Sequence, residues 1–379
     1  MNREGFIVGV DASRSRSGGG AGHMRGLMSG ADPRDAGIAH VHFWAFDSLL
    51  DSVEDQVWLT KHRVAATNRS IIHQLLWQYF ELPKLLRASG CQVIFNTDAG
   101  AICPFTPSVT LSQDMLPFEP GEIQRYGWSK ARLRLEILKR VQARSLARAN
   151  LALFLTAHAH KTIGDRVGAF HASAVVPHGI DDSFRSVAAN RRPWPTEGQI
   201  RCLYVSNAAP YKHQWHVVDA VSQLRADGEN LSLRLVGGGK GTSQQRLQAA
   251  IAQHDANGEF VKQEPFVEHD SIPSYLGEAD LFIFASSCEN LPITLLEAMA
   301  SGIPICCSNR GPMPEVLGED GIYFDPEDPA SIAGAMRIAI DNEAARQQAV
   351  SSALTRSDGF TWERLSRETW ALLANVARQ

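Results

Sequence analysis

Short apolar runs alternate with longer helical stretches along this chain, and the series runs through twice. Residues 6–10 (FIVGV), 41–44 (VHFW), 92–96 (QVIFN), 151–156 (LALFLT) and 173–176 (SAVV) read as strands in the first half. Residues 201–206, 231–237, 281–286, 303–307 and 321–324 read as strands in the second, with helical stretches such as 71–88 and 245–254 between strands. Strands that are apolar at nearly every position must be covered on both faces, which is the signature of parallel sheets sandwiched by helices. Two such series predict an α/β fold of two Rossmann-like, doubly wound domains. The expected bounds are 1–185, 186–358 and a C-terminal helix, 359–379, packing back across the N-terminal domain. Residues 176–199 are polar, contain proline and lack periodicity, so they read as the linker. Open parallel sheets bind ligands beyond the carboxyl ends of their strands, so two facing domains predict a cleft there.

Composition narrows the partners. A net charge of −4 points to no polyanion, and no apolar run approaches the ~20 residues of a membrane span. The start, MNREGFIVGVDAS, lacks the layout of a secretory leader, which predicts a cytoplasmic protein. The six cysteines form no C-x-x-C pair, and core filling is the favoured reading, with redox activity of Cys306-Cys307 the alternative.

The stretch ENLPITLLEAMASGIP, 289–304, follows an apolar strand and carries Glu289 and Glu297. Pro292 suits a first helical turn and Gly302 a left-handed exit. Glu289 then lies at the helix mouth, beside the N–H groups of Asn290, Leu291, Pro292 (which lacks one), Ile293 and Thr294, while Glu297 lies about one and a half turns further in. Backbone donors and the helix dipole make an anion site there. Carboxylates beside it would accept hydroxyls, so the ligand implied is a polyhydroxylated phosphate ester such as a nucleotide sugar. The plainer alternative is helix charge at Glu289 and a solvated face at Glu297.

Glu289 and Glu297, seven residues between them, followed by Ala-Met-Ala-Ser-Gly-Ile-Pro, resemble the signature of glycosyltransferase family 4, whose members are retaining enzymes of the two-domain GT-B fold. Ala285-Ser286-Ser287, the segment 308–328 with Glu315, and 175–184 fit the same pattern. The resemblance implies that Glu289 holds sugar hydroxyls and Glu297 the nucleotide ribose. It places Lys212 in the loop that clamps the leaving diphosphate, where the family's second cation is replaced by Asn207; Lys240 and Arg310 are candidate substitutes. It also places the glycine-rich turn Gly18, Gly19 and Gly20 on the acceptor side, and Gln113-Asp114 where many members carry a sugar-side histidine. That last segment is similar to bacterial O-antigen and surface-polysaccharide mannosyltransferases, which implies GDP-mannose as the donor and a saccharide acceptor, lipid-linked, in surface polysaccharide or lipopolysaccharide synthesis. Read without the family, the Lys212 loop, the glycines and 110–122 are ordinary surface loops.

Residues 125–148 carry eight basic residues against Glu136. Lys139, Arg140 and Arg144 are candidates to face an anionic membrane or a lipid diphosphate; a solvated helix face is the alternative. Nucleic acid is disfavoured, because no recognition module accompanies the patch. No D-x-D triplet or His/Cys cluster is present, so no metal and no resident cofactor are expected. Lys212 and the helix mouth would then carry the leaving group's charge. The rival readings are a nucleotide-sugar epimerase or hydrolase of the same architecture, or a catalytically silent nucleotide-sugar-binding scaffold.

Overall fold

The computed structural model describes residues 5–15, 18–64 and 70–379. The chain divides into two units, one of residues 1–179 with 360–379 and one of 180–359.

The first unit holds β1 (Phe6–Ala12), β2 (Ile38–Ala45), β3 (Leu59–Arg63), β4 (Val93–Asn96), β5 (Ser108–Leu111), β6 (Leu151–Phe154) and β7 (Ser173–Val175). They form one parallel sheet ordered β3-β2-β1-β4-β5-β6-β7. The second unit holds β8 (Ile200–Val205), β9 (Leu231–Val236), β10 (Val261–Glu264), β11 (Leu281–Phe284), β12 (Ile305–Ser308) and β13 (Ile322–Phe324), parallel in the order β10-β9-β8-β11-β12-β13. The strand order reverses at β1/β4 in one sheet and at β8/β11 in the other. These are the switch points where such sheets open a crevice beyond their carboxyl ends.

Three strands were not foreseen. β3 (LTKHR) and β10 (VKQE) are edge strands with polar residues, and β5 (SVTL) is short and half polar although wholly buried. The expected linker also needs correction. It contains a helix, Asp182–Ala189, anchored by Phe184, which is 1% exposed. One buried aromatic is too little to produce a visible period in sequence. The stretch 71–88 is helical but passes through a π-helical turn at Trp77–Glu81.

The terminal helix, Trp362–Ala377, packs in the first unit on the helix Gly18–Gly30, burying Leu365, Trp370 and Leu373. All six cysteines are free thiols. Burial raises the pKa of Cys91 and Cys103 to about 12 and that of Cys202, Cys306 and Cys307 further, which fits packing rather than redox chemistry. Among the described residues, no helix is long and apolar enough to cross a membrane.

Candidate functional site

The side chains with the strongest claim to chemistry lie beyond β8 and β11, at the switch point of the second sheet. β8 ends at Val205, and the chain passes through Asn207 into a single turn, Pro210–Lys212. β11 ends at Phe284, and its loop reaches Glu289 before the helix Ile293–Ala300. The two loops are clasped together. Ser287 N donates to Tyr211 O at 2.8 Å, His213 Nε2 meets Ser287 Oγ at 2.9 Å, and Tyr204 Oη donates to Lys212 O at 2.7 Å. The result brings Lys212 Nζ onto Glu289 Oε1 as an ion pair whose side chains are 10% and 17% exposed. The ammonium also stands 5.2 Å and 5.5 Å from the rings of Tyr211 and Phe284. A nearly desolvated cation needs such partners, because burial without them costs several kcal/mol.

His213, next to Lys212, adopts φ +47° and ψ +28°, a left-handed backbone that side chains other than glycine rarely take. Its imidazole is what ties that strained turn to Ser287. His213 carries no mark in the sequence, since a backbone angle leaves no trace in composition.

The helix Ile293–Ala300 begins after Pro292, which precedes it rather than filling its first turn. Asn290, Leu291 and Pro292 are buried; Ile293 and Thr294 are half-buried, and everything beyond them in the helix is buried. The first-turn N–H groups, which have no partner within a helix, therefore sit at its open end. Gly302 closes the helix at φ +66°.

Glu297 is 3% exposed, and its Oε1 meets Nε2 of His269 at 2.6 Å. Burial pushes its carboxyl pKa up, and the His269 bond pulls it partly back. Its second oxygen, Oε2, is buried with no hydrogen-bond partner, an expensive state that a hydroxylated ligand or a water would relieve. The solvated-face reading of Glu297 is therefore excluded. His269, from a turn 28 residues upstream, was missed; nothing in its surroundings marks it.

The remaining candidate cations differ in readiness. Asn207 is exposed. Lys240, in the loop after β9, is exposed, whereas Arg310, after β12, is paired with Asp325 at 2.8 Å. Glu315 is exposed on a short helix, Met313–Leu317.

In the first unit a polar cluster rich in hydroxyls and amides fills the equivalent position. Asp11 at the end of β1 accepts from Ser13 N at 3.0 Å and Gln78 Nε2 at 2.7 Å; Ser15 Oγ and Thr97 Oγ1 stand 3.0 Å apart, and Arg14 pairs with Asp98 at 3.0 Å. Burial raises the pKa of Asp11 and takes Asp114 to about 6. The expected glycine-rich turn is instead helical. Gly18, Gly19 and Gly20 open the helix Gly18–Gly30, while Arg16 and Ser17 lie outside the described residues. A Cβ at Gly20 would stand 2.9 Å from Gln113 Oε1, so a larger residue there would displace the end of the Gln113 side chain. The structure thus brings Gly20 and Gln113 together, and Asp114 lies beside them in sequence, its Oδ1 accepting from Leu116 N at 3.0 Å. Of the basic residues 139–144, Arg140 and Arg144 are exposed and Lys139 is half-buried, on the helix Lys130–Arg148.

Among the described residues, no group of three or more His, Cys, Asp or Glu side chains is placed to hold a metal ion.

Comparison with known proteins bears on this site. Residues 187–356 match the family model for glycosyl transferases group 1, and so span both clasped loops. The O-antigen chain mannosyltransferase B of Escherichia coli is 25% identical over 167 residues, which is 44% of this chain and 44% of that protein. The glycogen synthase of Mycobacterium tuberculosis is 29% identical over 201 residues, 52% of this chain and 46% of that protein. The chain thus covers less than half the length of these curated relatives. Sucrose-phosphate synthase from Thermosynechococcus elongatus superposes with a TM-score of 0.74 at 18% identity, over 97% of this chain and 98% of that one. The Anabaena HepE structure in complex with UDP and glucose does so at 0.72 and 18% identity, over 98% and 99%. With two parallel-sheet Rossmann-like units and these neighbours, the fold is GT-B.

Proposed function

We propose that this chain is a retaining glycosyltransferase of family 4, moving a hexose from a nucleotide sugar to a saccharide acceptor. The observation that carries the reading is the Lys212–Glu289 pair, held by the clasp between two loops at the switch point of the second sheet. The group 1 match over 187–356 supports it. In the free protein each partner neutralises the other. When donor enters, Lys212 turns to the diphosphate and Glu289 to the sugar hydroxyls. Lys212 and the N–H groups at 293–294 then stabilise the charge that develops as the bond from the anomeric carbon to the diphosphate oxygen breaks. The acceptor oxygen bonds to the same face of that carbon, and its proton passes to the departing diphosphate oxygen. No bound metal is needed, because the positive charge comes from Lys212 and the backbone. Glu297, with one oxygen unpartnered, takes the ribose hydroxyls.

Mannose from GDP-mannose is the favoured transfer, supported by the likeness to the O-antigen mannosyltransferase. On this reading the acceptor is a lipid-linked saccharide at the cytoplasmic membrane face, in surface polysaccharide or lipopolysaccharide synthesis, engaging Gly20, Gln113 and Asp114. The test is a thermal-shift panel of GDP-mannose, UDP- and dTDP-sugars without metal. A donor that binds only the native state raises the melting point by mass action. One donor stabilising wild type but not Glu289→Ala or Lys212→Ala is the expected result. No shift from any donor, with or without acceptor and vesicles, would overturn the donor site itself, whereas a donor that stabilises the protein but is never turned over would favour the silent scaffold. Turnover of donor without acceptor would favour a hydrolase or epimerase.

A further inference from the structure

Exposed large apolar side chains are unevenly distributed over this molecule. Thirteen occur among the described residues, and nine of them lie on two segments of the first unit, 71–88 and 128–137. On the first segment, Ile72, Leu76 and Phe80 follow a spacing of four, with Tyr79 beside them, and are 64%, 51%, 55% and 49% exposed. That spacing makes one continuous stripe along a helix. On the second, Trp128 is 98% exposed just before the helix Lys130–Arg148, and Leu133 and Ile137 continue its line at 62% and 53%. Beyond Ile137 the same stripe turns cationic through Arg140, Arg144 and Arg148, all exposed.

Both segments belong to one face of the first sheet. The connection β3 to β4 and the connection β5 to β6 travel in the same direction along the strand order, and right-handed crossovers then place both on the same side. The helix Gly18–Gly30, on the connection β1 to β2, travels the other way and lies opposite. That opposite side is covered, since the terminal helix packs there. The inner faces of the two segments are used as well. Gln74 and Gln78 bond to Ser13 and Asp11 beneath them, and Leu82 and Leu86 are fully buried. The apolar stripes are therefore surplus to the core.

We infer that this face docks on an anionic lipid surface, with Leu76, Tyr79, Phe80 and Trp128 entering the headgroup boundary and Arg140, Arg144 and Arg148 pairing with lipid phosphates. The apolar stripe on 71–88 is the inserting element, and the basic helix alone is the weaker half. Charge complementarity selects this occupant. A segment with eight cations against Glu136 is drawn to an anionic bilayer, each basic residue near the surface adding to the attraction. A second copy of the chain would bring two such helices together and be repelled. An apolar row ending in cations is the pattern of helices that lie in the plane of an interface. The inference goes beyond the proposed activity and does not depend on the donor or the reaction.

Flotation with phosphatidylcholine vesicles, with and without phosphatidylglycerol, reads the binding directly, and the emission of the exposed Trp128 gives a second signal. Wild type should float with the anionic vesicles, shift its emission to the blue, and be released by salt. Leu76→Gln with Phe80→Gln, at exposed positions, should weaken partition about tenfold or more while keeping the basic charge. Arg140→Glu with Arg144→Glu should weaken it and remove most of its salt dependence. Thermal stability and donor-induced stabilisation, measured in parallel without lipid, should be unchanged in both variants, which separates this inference from the reading of the reaction. Wild type that ignores phosphatidylglycerol vesicles would overturn it. So would a Leu76/Phe80 variant that floats like wild type, or one whose only change is the loss of a dimer seen by light scattering.

Discussion

Beyond β8 and β11 ionisable side chains are matched in pairs, Lys212 to Glu289 and Glu297 to His269, with a strained turn at His213 beside the first pair. Beyond β1, β4 and β5 the first unit fills the corresponding place with Asp11, Ser15 and Thr97 in hydrogen bonds, with Gln113 and the Arg14–Asp98 pair beside them. There burial pushes the carboxyls of Asp11 and Asp114 toward the protonated form. The same sheet architecture thus ends in two chemistries. A site that must carry a departing diphosphate needs fixed positive charge in a nearly dry place, and such a charge needs a counter-ion while the ligand is absent. A site for hydroxyls needs donors and acceptors without net charge.

The comparison breaks most visibly at the charged end. Lys212→Ala and Glu289→Ala should each lower kcat by about 10²–10³-fold, the range for removing one preorganised group at a developing charge. The double variant should cost far less than the product, because the two act as a unit; a multiplicative loss in the double-mutant cycle would show that they do not. Removing the partner of a buried carboxylate comes next. His269→Ala should destabilise the protein by about 1–3 kcal/mol in denaturant melts, since Glu297 loses its one recorded hydrogen bond. Glu297→Gln in the same background should recover part of that loss by removing the charge.

His213 separates strain from function. His213→Ala keeps the left-handed angle and loses the clasp, and should cost about 1–2 kcal/mol, whereas His213→Gly relieves the backbone and should be near neutral in stability. Both should lower kcat, because both lose the imidazole bond to Ser287 and loosen the Lys212 loop, which keeps its backbone bond from Ser287 N to Tyr211 O. Equal stability of the two variants would mean that the turn stores no strain.

The smallest effect is expected in the first unit and depends on pH. Asp114 has its pKa raised from 3.8 to about 6 by burial, so between those values the folded state holds more protons than the unfolded one. Its contribution to stability is full below the unfolded pKa and is lost as pH rises through about 6. Asp114→Asn should match wild type near pH 3.5 and exceed it by about 1–2 kcal/mol near pH 8, a gain trimmed by its partial exposure. A gap that is constant with pH would show that folding does not shift the pKa of Asp114.

Much of this was readable from residues. Apolar strands between helices were enough for two parallel α/β units, and the runs read at 281–286 and 303–307 contain the buried strands β11 and β12. Edge strands escaped, because LTKHR and VKQE need bury only part of their surface and so keep polar residues. At the site, Glu289, Glu297 and Lys212 were visible because motif spacing along one chain is a sequence property. The roles of Tyr204, His213 and Ser287 were not visible, because they join the β8 loop to the β11 loop or to its strand, and His269 came from another element, where separation along the chain carries no information about distance.

The sequence by itself determined the alternation of strand and helix, the carboxylates on either side of one helix start, and a strongly basic segment in an acidic chain. All of these depend on residue type and local period. Only the tertiary structure decided that Lys212 would sit on Glu289, that Glu297 would be buried against His269 with one oxygen unpartnered, and that the stripe through Ile72, Leu76 and Phe80 would stay uncovered. The physical reason is that ion pairing, desolvation and exposure depend on which elements the sheet order places side by side, and a local pattern does not contain that order.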